Sequence, residues 1–167
     1  MAEVAEPQVH MVRGLDVPAR AREVLDATGA PVASGAWIYG YVRDDLRSNP
    51  TTAVEVTATW RCAPGDQLDE LKYWWQRVGT DAHDIEPGLV RFETYDVPGA
   101  DALIIHETFT DSDALKFHLT KGTAARYKQD IDRIAAPDAY FFRGPVAWTI
   151  RTYSKFMRLP ATYSVRS

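Results

Sequence analysis

Alternating apolar and polar positions mark the start of the most regular part of the chain. Apolar residues occupy every second position from Val54 to Trp60, and this period of two predicts a strand with one buried face. The period then changes, because apolar residues recur at helical spacing between Leu68 and Val78. The pattern therefore predicts a strand followed by an amphipathic helix over residues 66–79.

Two further strands and a second helical region follow. Pro98-Gly99 separates the β-prone segments LVRFETYDV and ALIIHETF, which predicts an antiparallel hairpin. The sequence TDSD then predicts the start of a helix, which Gly122-Thr123 interrupts. A fourth strand is predicted from Tyr140, running at most to Tyr153. The order β-α-β-β-α-β is that of a ferredoxin-like α+β domain.

One face of the predicted sheet has no helix to cover it. A ferredoxin-like domain packs both helices on the same side, so the large apolar residues of the other face would contact water. Stacking two such sheets about a symmetry axis would bury them. We therefore expect a homodimer built as a dimeric α+β barrel.

The segments outside this pattern divide the chain into three parts. Residues 1–50 are predicted to form an N-terminal extension with a polar arm, a short helix near residues 18–26 and a strand near 36–42. Residues 51–150 are predicted to form the barrel domain. Residues 151–167 are predicted to be a basic tail, because five basic residues and no acidic residue follow Asp138. Such a tail is either solvated or a contact for an anionic partner.

Composition narrows the classes of function. The chain has 167 residues and a net charge of −4 at pH 7, which argues against a nucleic-acid-binding protein. Its single cysteine, Cys62, excludes an intrachain disulfide and a cysteine-rich zinc site. No apolar run approaches about 18 residues, and no signal-peptide pattern is found. We expect a cytoplasmic protein with neither a membrane nor a nucleic acid as partner.

Four segments carry a likeness to a known family. They are VEVTATWRCAPGDQLDEL, ALIIHETFTDSDALKFHL, ARYKQDI and the last strand, which runs into Gly-Pro. These segments resemble the antibiotic biosynthesis monooxygenase family of dimeric α+β barrels, which includes cofactor-independent quinol and anthrone monooxygenases. The resemblance matches Glu107, His118 and Tyr127. Many family members carry a second histidine where this chain has Gly122-Thr123, so a two-histidine site is not expected.

His118 is the leading candidate for proton transfer. Its neighbours Leu115 and Leu119 place it at the edge of a buried helical stripe, where partial burial predicts a neutral imidazole that accepts a proton. The alternative is a structural histidine bonded to a backbone carbonyl. The resemblance adds Tyr127 as a second catalytic candidate.

His106 and Glu107 are neighbours on a predicted strand, so only one of them faces the pocket. His106 is a third catalytic candidate, which would orient substrate oxygens if it faces the pocket, and we expect Glu107 to be structural and to pair across the interface or with an arginine. No two histidines have the spacing of a metal site, and no glycine-rich nucleotide loop occurs, so neither a metal nor a cofactor is predicted.

Aromatic side chains are the candidates for substrate contact. The triplet Tyr73-Trp74-Trp75 lies in the first predicted helix, and its spacing assigns Trp75 to the core. The other two residues either cover a flat substrate or pack normally. The full set of candidates is Tyr73, Trp74, Trp60, Phe92 and Phe117.

The resemblance implies a small cofactor-independent monooxygenase that acts with dioxygen on an aromatic polyketide, quinol or anthrone-type substrate. An electron-rich phenolate or enolate can give electrons to dioxygen directly, so the protein has to bind a flat apolar molecule, take a proton and stabilise the anion. Two alternatives stay open, because fold does not fix function. One is a cyclase, dehydratase or isomerase on the same fold, and the other is a non-catalytic ligand-binding or assembly protein.

Overall fold

The computed structural model describes residues 36–46, 48–63, 67–97 and 99–164. The predicted arm, the short helix near residues 18–26 and the first residues of the predicted helix at 66–79 lie outside the described residues. The elements in chain order are β1 (Ala36–Val42), β2 (Val54–Cys62), α1 (Leu68–Ile85), β3 (Leu89–Asp96), β4 (Ala102–Phe109), α2 (Ser112–Thr120), α3 (Thr123–Ile134), β5 (Ala135–Arg143), α4 (Trp148–Phe156) and β6 (Ala161–Ser164).

All six strands form one sheet in the order β1-β3-β4-β2-β5-β6. The inner four strands, β3, β4, β2 and β5, pair with one another in antiparallel fashion and have the ferredoxin-like order. β1 extends one edge as an antiparallel partner of β3, and β6 extends the other as a parallel partner of β5. The predicted α+β, ferredoxin-like fold is therefore confirmed, and the strand expected near residues 36–42 joins the same sheet.

The first helix is longer than the sequence pattern predicts. α1 continues to Ile85 because its buried stripe of Leu71, Trp75 and Val78 continues to Ala82. Where the helix crosses β3, a side chain at Gly79 would collide with the ring of Phe92. The extra length of α1 brings the chain to Glu86, the residue that follows the helix. Glu86 belongs to the candidate site.

The second helical region is divided as predicted. Asp111 caps α2, because its carboxylate accepts hydrogen bonds from the backbone N–H groups of Asp113 and Ala114, each at 2.9 Å. α2 ends at Thr120, and α3 begins after Gly122, which offers no side chain as a cap. The first N–H groups of α3 therefore need an acceptor from another part of the chain.

The C-terminal region differs from the prediction. The fourth strand, β5, ends at Arg143, and Gly144 turns the chain with a φ of 110°. The residues that follow form α4, so the prediction of a strand running toward Tyr153 is wrong. α4 buries Ile150 and Ser154, and β6 then pairs with β5. Part of the predicted tail is thus a helix and an edge strand.

No helix in the described part of the chain is long and apolar enough to cross a membrane.

Candidate active site

A cavity of about 370 Å³ lies between the sheet and the helices. β2, β4 and β5 form its floor, and α1, α2 and α3 cover much of it. Tyr153 and Met157 bring α4 and the residue after it to the wall, so the C-terminal region helps to enclose the space. Most lining side chains are apolar, and a small group of polar ones lies among them. This is the composition expected of a site for a small apolar ligand with a few oriented polar contacts.

His118 forms the centre of a buried cluster that reaches the cavity. Its imidazole is held between two carboxylates, with Nδ1 2.8 Å from Glu86 Oε2 and Nε2 3.1 Å from Glu107 Oε1. His118 and Glu86 are 1% and 2% exposed, and Glu107 is 6% exposed. We refer to these three side chains as the Glu86–His118–Glu107 cluster. The residue after α1 supplies Glu86, and β4 and α2 supply the other two members, so the fold holds the imidazole from both sides.

Glu86 has a second role, at the start of α3. Its other oxygen, Oε1, accepts hydrogen bonds from the backbone N–H of Thr123 at 2.6 Å and from the Thr123 hydroxyl at 2.7 Å. Glu86 thereby supplies the acceptor that α3 lacks at Gly122. Both carboxylate oxygens are occupied, which fixes the group that orients the His118 ring.

The environment of His118 reverses the expectation of a neutral imidazole. Burial works to lower the pKa of His118, but the negative charge of Glu107 and the hydrogen bond and charge of Glu86 raise that pKa to about 10. Burial works to raise the pKa of Glu86, and the hydrogen bond and charge of His118 with the donors of Thr123 lower it. His118 is therefore an imidazolium at neutral pH, and the prediction that it is neutral is wrong.

Glu107 is the carboxylate of the cluster that faces the cavity. Its Oε1 atom is buried and lies 3.1 Å from His118 Nε2, and the side chain lines the cavity. Glu86, in contrast, is not among the lining residues. A ligand in the cavity would therefore meet a proton donor and a proton acceptor side by side. Among the described residues, no group of three His, Cys, Asp or Glu side chains is placed to hold a metal ion.

Two of the three catalytic candidates from the sequence lie away from the cavity. His106 is on the opposite face of β4 from Glu107, and its Nδ1 lies 3.2 Å from the hydroxyl oxygen of Thr57. Burial and the charge of Arg91 hold the pKa of His106 well below its usual value. Tyr127 donates its hydroxyl hydrogen bond to Asp81, outside the cavity lining.

The aromatic candidates for substrate contact do not all lie at the cavity. Trp60 lines the cavity, whereas Phe92 packs in the core with no exposed surface. Tyr73 and Phe117 are 55% and 41% exposed, and neither lines the cavity. Trp74 contacts the Tyr73 ring, and its Nε1 donates to Glu70 at 3.4 Å. The structure therefore brings together His118 and Trp60 from the predicted set, and no other member of it.

Sequence reasoning missed the residues that complete the site. Glu86 is separated from His118 by 32 positions, and no local pattern links them. Trp75 was assigned to the core only, although its ring also lines the cavity beside Trp60, with ring centroids 5.4 Å apart. Tyr140 lines the cavity as well, and burial together with the charge of Glu107 raises the pKa of its phenol. The sequence did contain one signal for the rest of the site, because Glu107 is a position that matches the family the chain resembles.

The fold and the cavity define an α+β protein of the ferredoxin-like class with an interior cavity. No model of a known protein family matches the chain, and no functionally curated protein does so. Solved structures do match. MupZ from Pseudomonas fluorescens is 16% identical over 70% of this chain and 91% of MupZ, with a TM-score of 0.59.

Two other solved structures are also among the matches. A protein of Lactobacillus acidophilus NCFM, provisionally named a monooxygenase, is 10% identical over 72% of this chain and 58% of its own, with a TM-score of 0.53. SnoaB, a cofactor-independent oxygenase from Streptomyces nogalater, is 14% identical over 55% of this chain and 90% of its own, with a TM-score of 0.48. Proteins provisionally named antibiotic biosynthesis monooxygenases also match. The likeness to the solved structures is one of fold alone.

Proposed function

We propose that this protein is an enzyme that removes a proton from a small apolar, oxygen-bearing substrate and passes the resulting anion to dioxygen. The substrate class that we propose is an aromatic polyketide, quinol or anthrone. The observation that carries the proposal is the buried pair of Glu107 carboxylate and His118 imidazolium at the wall of an apolar cavity. An acid and a base held together away from water are suited to forming and stabilising an anion.

Each member of the pair has a separate part in the reaction. Glu107 accepts the proton of the substrate hydroxyl or activated C–H group, because its carboxylate lines the cavity. The positive charge of the His118 imidazolium, which also lines the cavity, stabilises the negative charge that develops on the substrate, and Glu86 keeps the ring in place. Most of the other lining side chains are apolar, which strengthens the attraction between the imidazolium and the anion.

The oxidation itself draws its electrons from the substrate. With anthrone, the carbanion gives electrons to dioxygen, one oxygen atom becomes the new carbonyl and the other leaves as water with the two hydrogens lost from carbon. Atoms and electrons balance without a further reductant. We therefore propose that the reaction needs no cofactor.

A second candidate function uses the same pair without oxygen. Glu107 can take a proton from one atom of a ligand while His118 gives one to another, and this transfer is what an isomerase, dehydratase or cyclase needs. The specific observation in its favour is that donor and acceptor are 3.1 Å apart, so one ligand can contact both. The two candidates differ in whether oxygen is consumed.

Oxygen uptake, measured with an electrode, distinguishes the two candidate functions. Purified protein is mixed with anthrone or a naphthohydroquinone, with and without added flavin or divalent metal. The proposal predicts oxygen uptake that exceeds the uncatalysed rate and is not increased by either addition. Conversion of a ligand under anaerobic conditions would favour the proton-transfer reaction instead. Ligand binding with no conversion in either condition would contradict both and favour a binding protein.

Two variants test whether the activity depends on Glu107 and His118. Glu107→Gln and His118→Gln each keep the size of the side chain and remove the proton acceptor or the positive charge. Each is expected to slow turnover by about 10²–10⁴-fold. His83→Gln is the matched control, because the His83 side chain is 55% exposed and does not line the cavity. Wild-type rates in both cavity variants would show that the reaction, if any, occurs elsewhere.

A further inference from the structure

The outer face of α4 exposes two large aromatic side chains. Trp148 begins the helix and is 74% exposed, and Phe156 ends it and is 82% exposed. They are the two most exposed large apolar side chains in the described part of the chain. At the spacing of an α-helix, the exposed residues Thr152 and Lys155 lie between them, and the buried Ile150 lies on the opposite face. Two such rings on one helix face mark an interaction surface.

Positive charge accompanies these rings. All 23 Asp and Glu residues of the chain lie at or before Asp138, and five basic residues follow it. The Arg151 guanidinium carbon lies 4.5 Å from the ring centroid of Tyr163, while Lys155 and Arg158 are exposed and form no ion pair within the described residues. Although the chain as a whole is acidic, this face of it is therefore complementary to an anionic surface.

The inner side of the same region borders the cavity. Tyr153, Met157 and Leu159 all line it, and the exposed residues Phe156 and Arg158 alternate with them along the chain. α4 and the residues after it therefore form a wall between the cavity and the aromatic, basic surface. A helix is about 10 Å thick, so a ligand held at that surface is one helix diameter from the cavity.

We propose that the outer face of α4 binds the surface of a membrane that contains anionic phospholipids. The rings of Trp148 and Phe156 enter the interfacial layer, where aromatic side chains are favoured, and Lys155 and Arg158 contact the lipid phosphates. The nine-residue helix lies on the membrane and does not span it. The expectation from the sequence that the protein has no membrane partner rested on spanning and signal segments, and neither is involved here.

Flotation of the full-length protein with lipid vesicles tests the proposal. Vesicles of phosphatidylcholine with about one third phosphatidylglycerol are compared with vesicles of phosphatidylcholine alone. We expect about fivefold or greater preference for the anionic vesicles. About 0.5 M sodium chloride should release most of the bound protein, because it screens the charges. Equal binding to both kinds of vesicle, or no binding to either, would overturn the proposal.

A variant without the rings tests their part. Trp148→Ser/Phe156→Ser is expected to reduce binding to the anionic vesicles by about tenfold. Tyr73→Ser is the matched control, because it removes a 55% exposed aromatic ring from α1, and it should bind as the wild type does. Binding by the double variant that equals that of the control would contradict the assignment to α4.

A second variant tests the charges. Lys155→Glu/Arg158→Glu is expected to lose about tenfold or more in binding. Lys116→Glu/Lys121→Glu has the same net charge and changes two exposed lysines elsewhere, so it should lose much less. If the first variant does not fold by circular dichroism, Lys155→Gln/Arg158→Gly replaces it, because Arg158 has a φ of 54°, which favours glycine. Equal losses in the two charge-reversed variants would contradict a specific surface.

Other occupants of this face give different results. Binding to soluble poly-glutamate without binding to vesicles would overturn the proposal in favour of an acidic protein. A lower mass of the ring variant in light scattering, again without vesicle binding by the wild type, would overturn it in favour of a second copy of the chain. None of these measurements involves turnover, so they are decided separately from the proposed function.

Discussion

At the scale of single residues, the chemistry of the site follows from how one imidazole is surrounded. Burial alone would make His118 neutral, and this was the expectation from its place on the helical stripe. Two carboxylates at 2.8 and 3.1 Å outweigh burial, because opposite charges attract strongly away from water. The residue suggested as a base is therefore better suited to donate a proton, and Glu107 becomes the acceptor.

The cluster makes stability depend on pH in a defined direction. The pKa of His118 is raised from 6.5 to about 10, so its stabilisation is complete below pH 6.5 and is lost as the pH rises to about 10. Glu86 has a lowered pKa, so its contribution is present above its usual pKa of 4.5 and is lost as the pH falls. The cluster therefore stabilises the folded state most between pH 4.5 and pH 6.5.

We expect the free energy of unfolding to fall by a few kcal/mol, on the order of 3, between pH 6 and pH 10. Urea unfolding followed by circular dichroism at several pH values measures it. His118→Gln should show a much flatter profile in that range, whereas the exposed-site control His83→Gln should keep the wild-type slope. A wild-type profile as flat as that of the variant would mean that His118 is not held as a cation.

At the scale of elements, the site depends on a close approach between the end of α1 and the start of α3. Gly122 makes this possible, since a Cβ atom there would lie 2.5 Å from Glu86 Oε1 and 2.8 Å from the His118 Cα atom. The glycine that interrupts the helical stripe in the sequence is thus the position at which Glu86 reaches both Thr123 and His118.

Gly122→Ala is predicted to destabilise the protein by about 1–3 kcal/mol, because backbone and carboxylate would have to move apart. It should also slow turnover, since a displaced Glu86 no longer fixes the His118 ring. Thermal unfolding and oxygen uptake measure the two effects. Lys121→Ala, at an exposed neighbouring position, is the control and should change neither. A fully stable and active Gly122→Ala variant would show that the close approach is not needed.

The elements also show why part of the structure could be predicted from the sequence and part could not. β2 and α1 have clear periods, and both were predicted. β4 is buried at all eight positions, so its pattern does not show which of His106 and Glu107 faces the helices. α4 contains Thr149, Ile150 and Tyr153, which favour strands, and its packing against the cavity overrides that preference.

The site itself could be predicted only in part for a related reason. His118 and Trp60 belong to elements with strong periodic patterns, and both reach the cavity. Glu86 lies just past the end of α1, and the prediction ended that helix early. Its contact with His118 depends on how α1, α2 and α3 pack together, which a pattern along one segment does not contain.

At the scale of the whole molecule, the homodimer stays a prediction. The helices that enclose the cavity lie on one face of the sheet. Tyr95, Ile104 and Phe141 of the other face are 1%, 3% and 4% exposed, so these side chains are already buried in the single chain. Light scattering at micromolar concentration is expected to give about twice 18.8 kDa. A mass equal to one chain would contradict the dimeric barrel and leave the cavity of a single subunit as the site.

The central claim is that the cavity holds a charged imidazole between two carboxylates. Nuclear magnetic resonance of the protein with ¹⁵N-labelled histidine tests it most directly, because the two ring nitrogens report protonation separately. The account predicts that His118 has both nitrogens protonated at pH 7 and loses a proton only near pH 10. Its assignment comes from the signal that disappears in His118→Gln. A neutral His118 at pH 7, with one unprotonated nitrogen, would contradict the account.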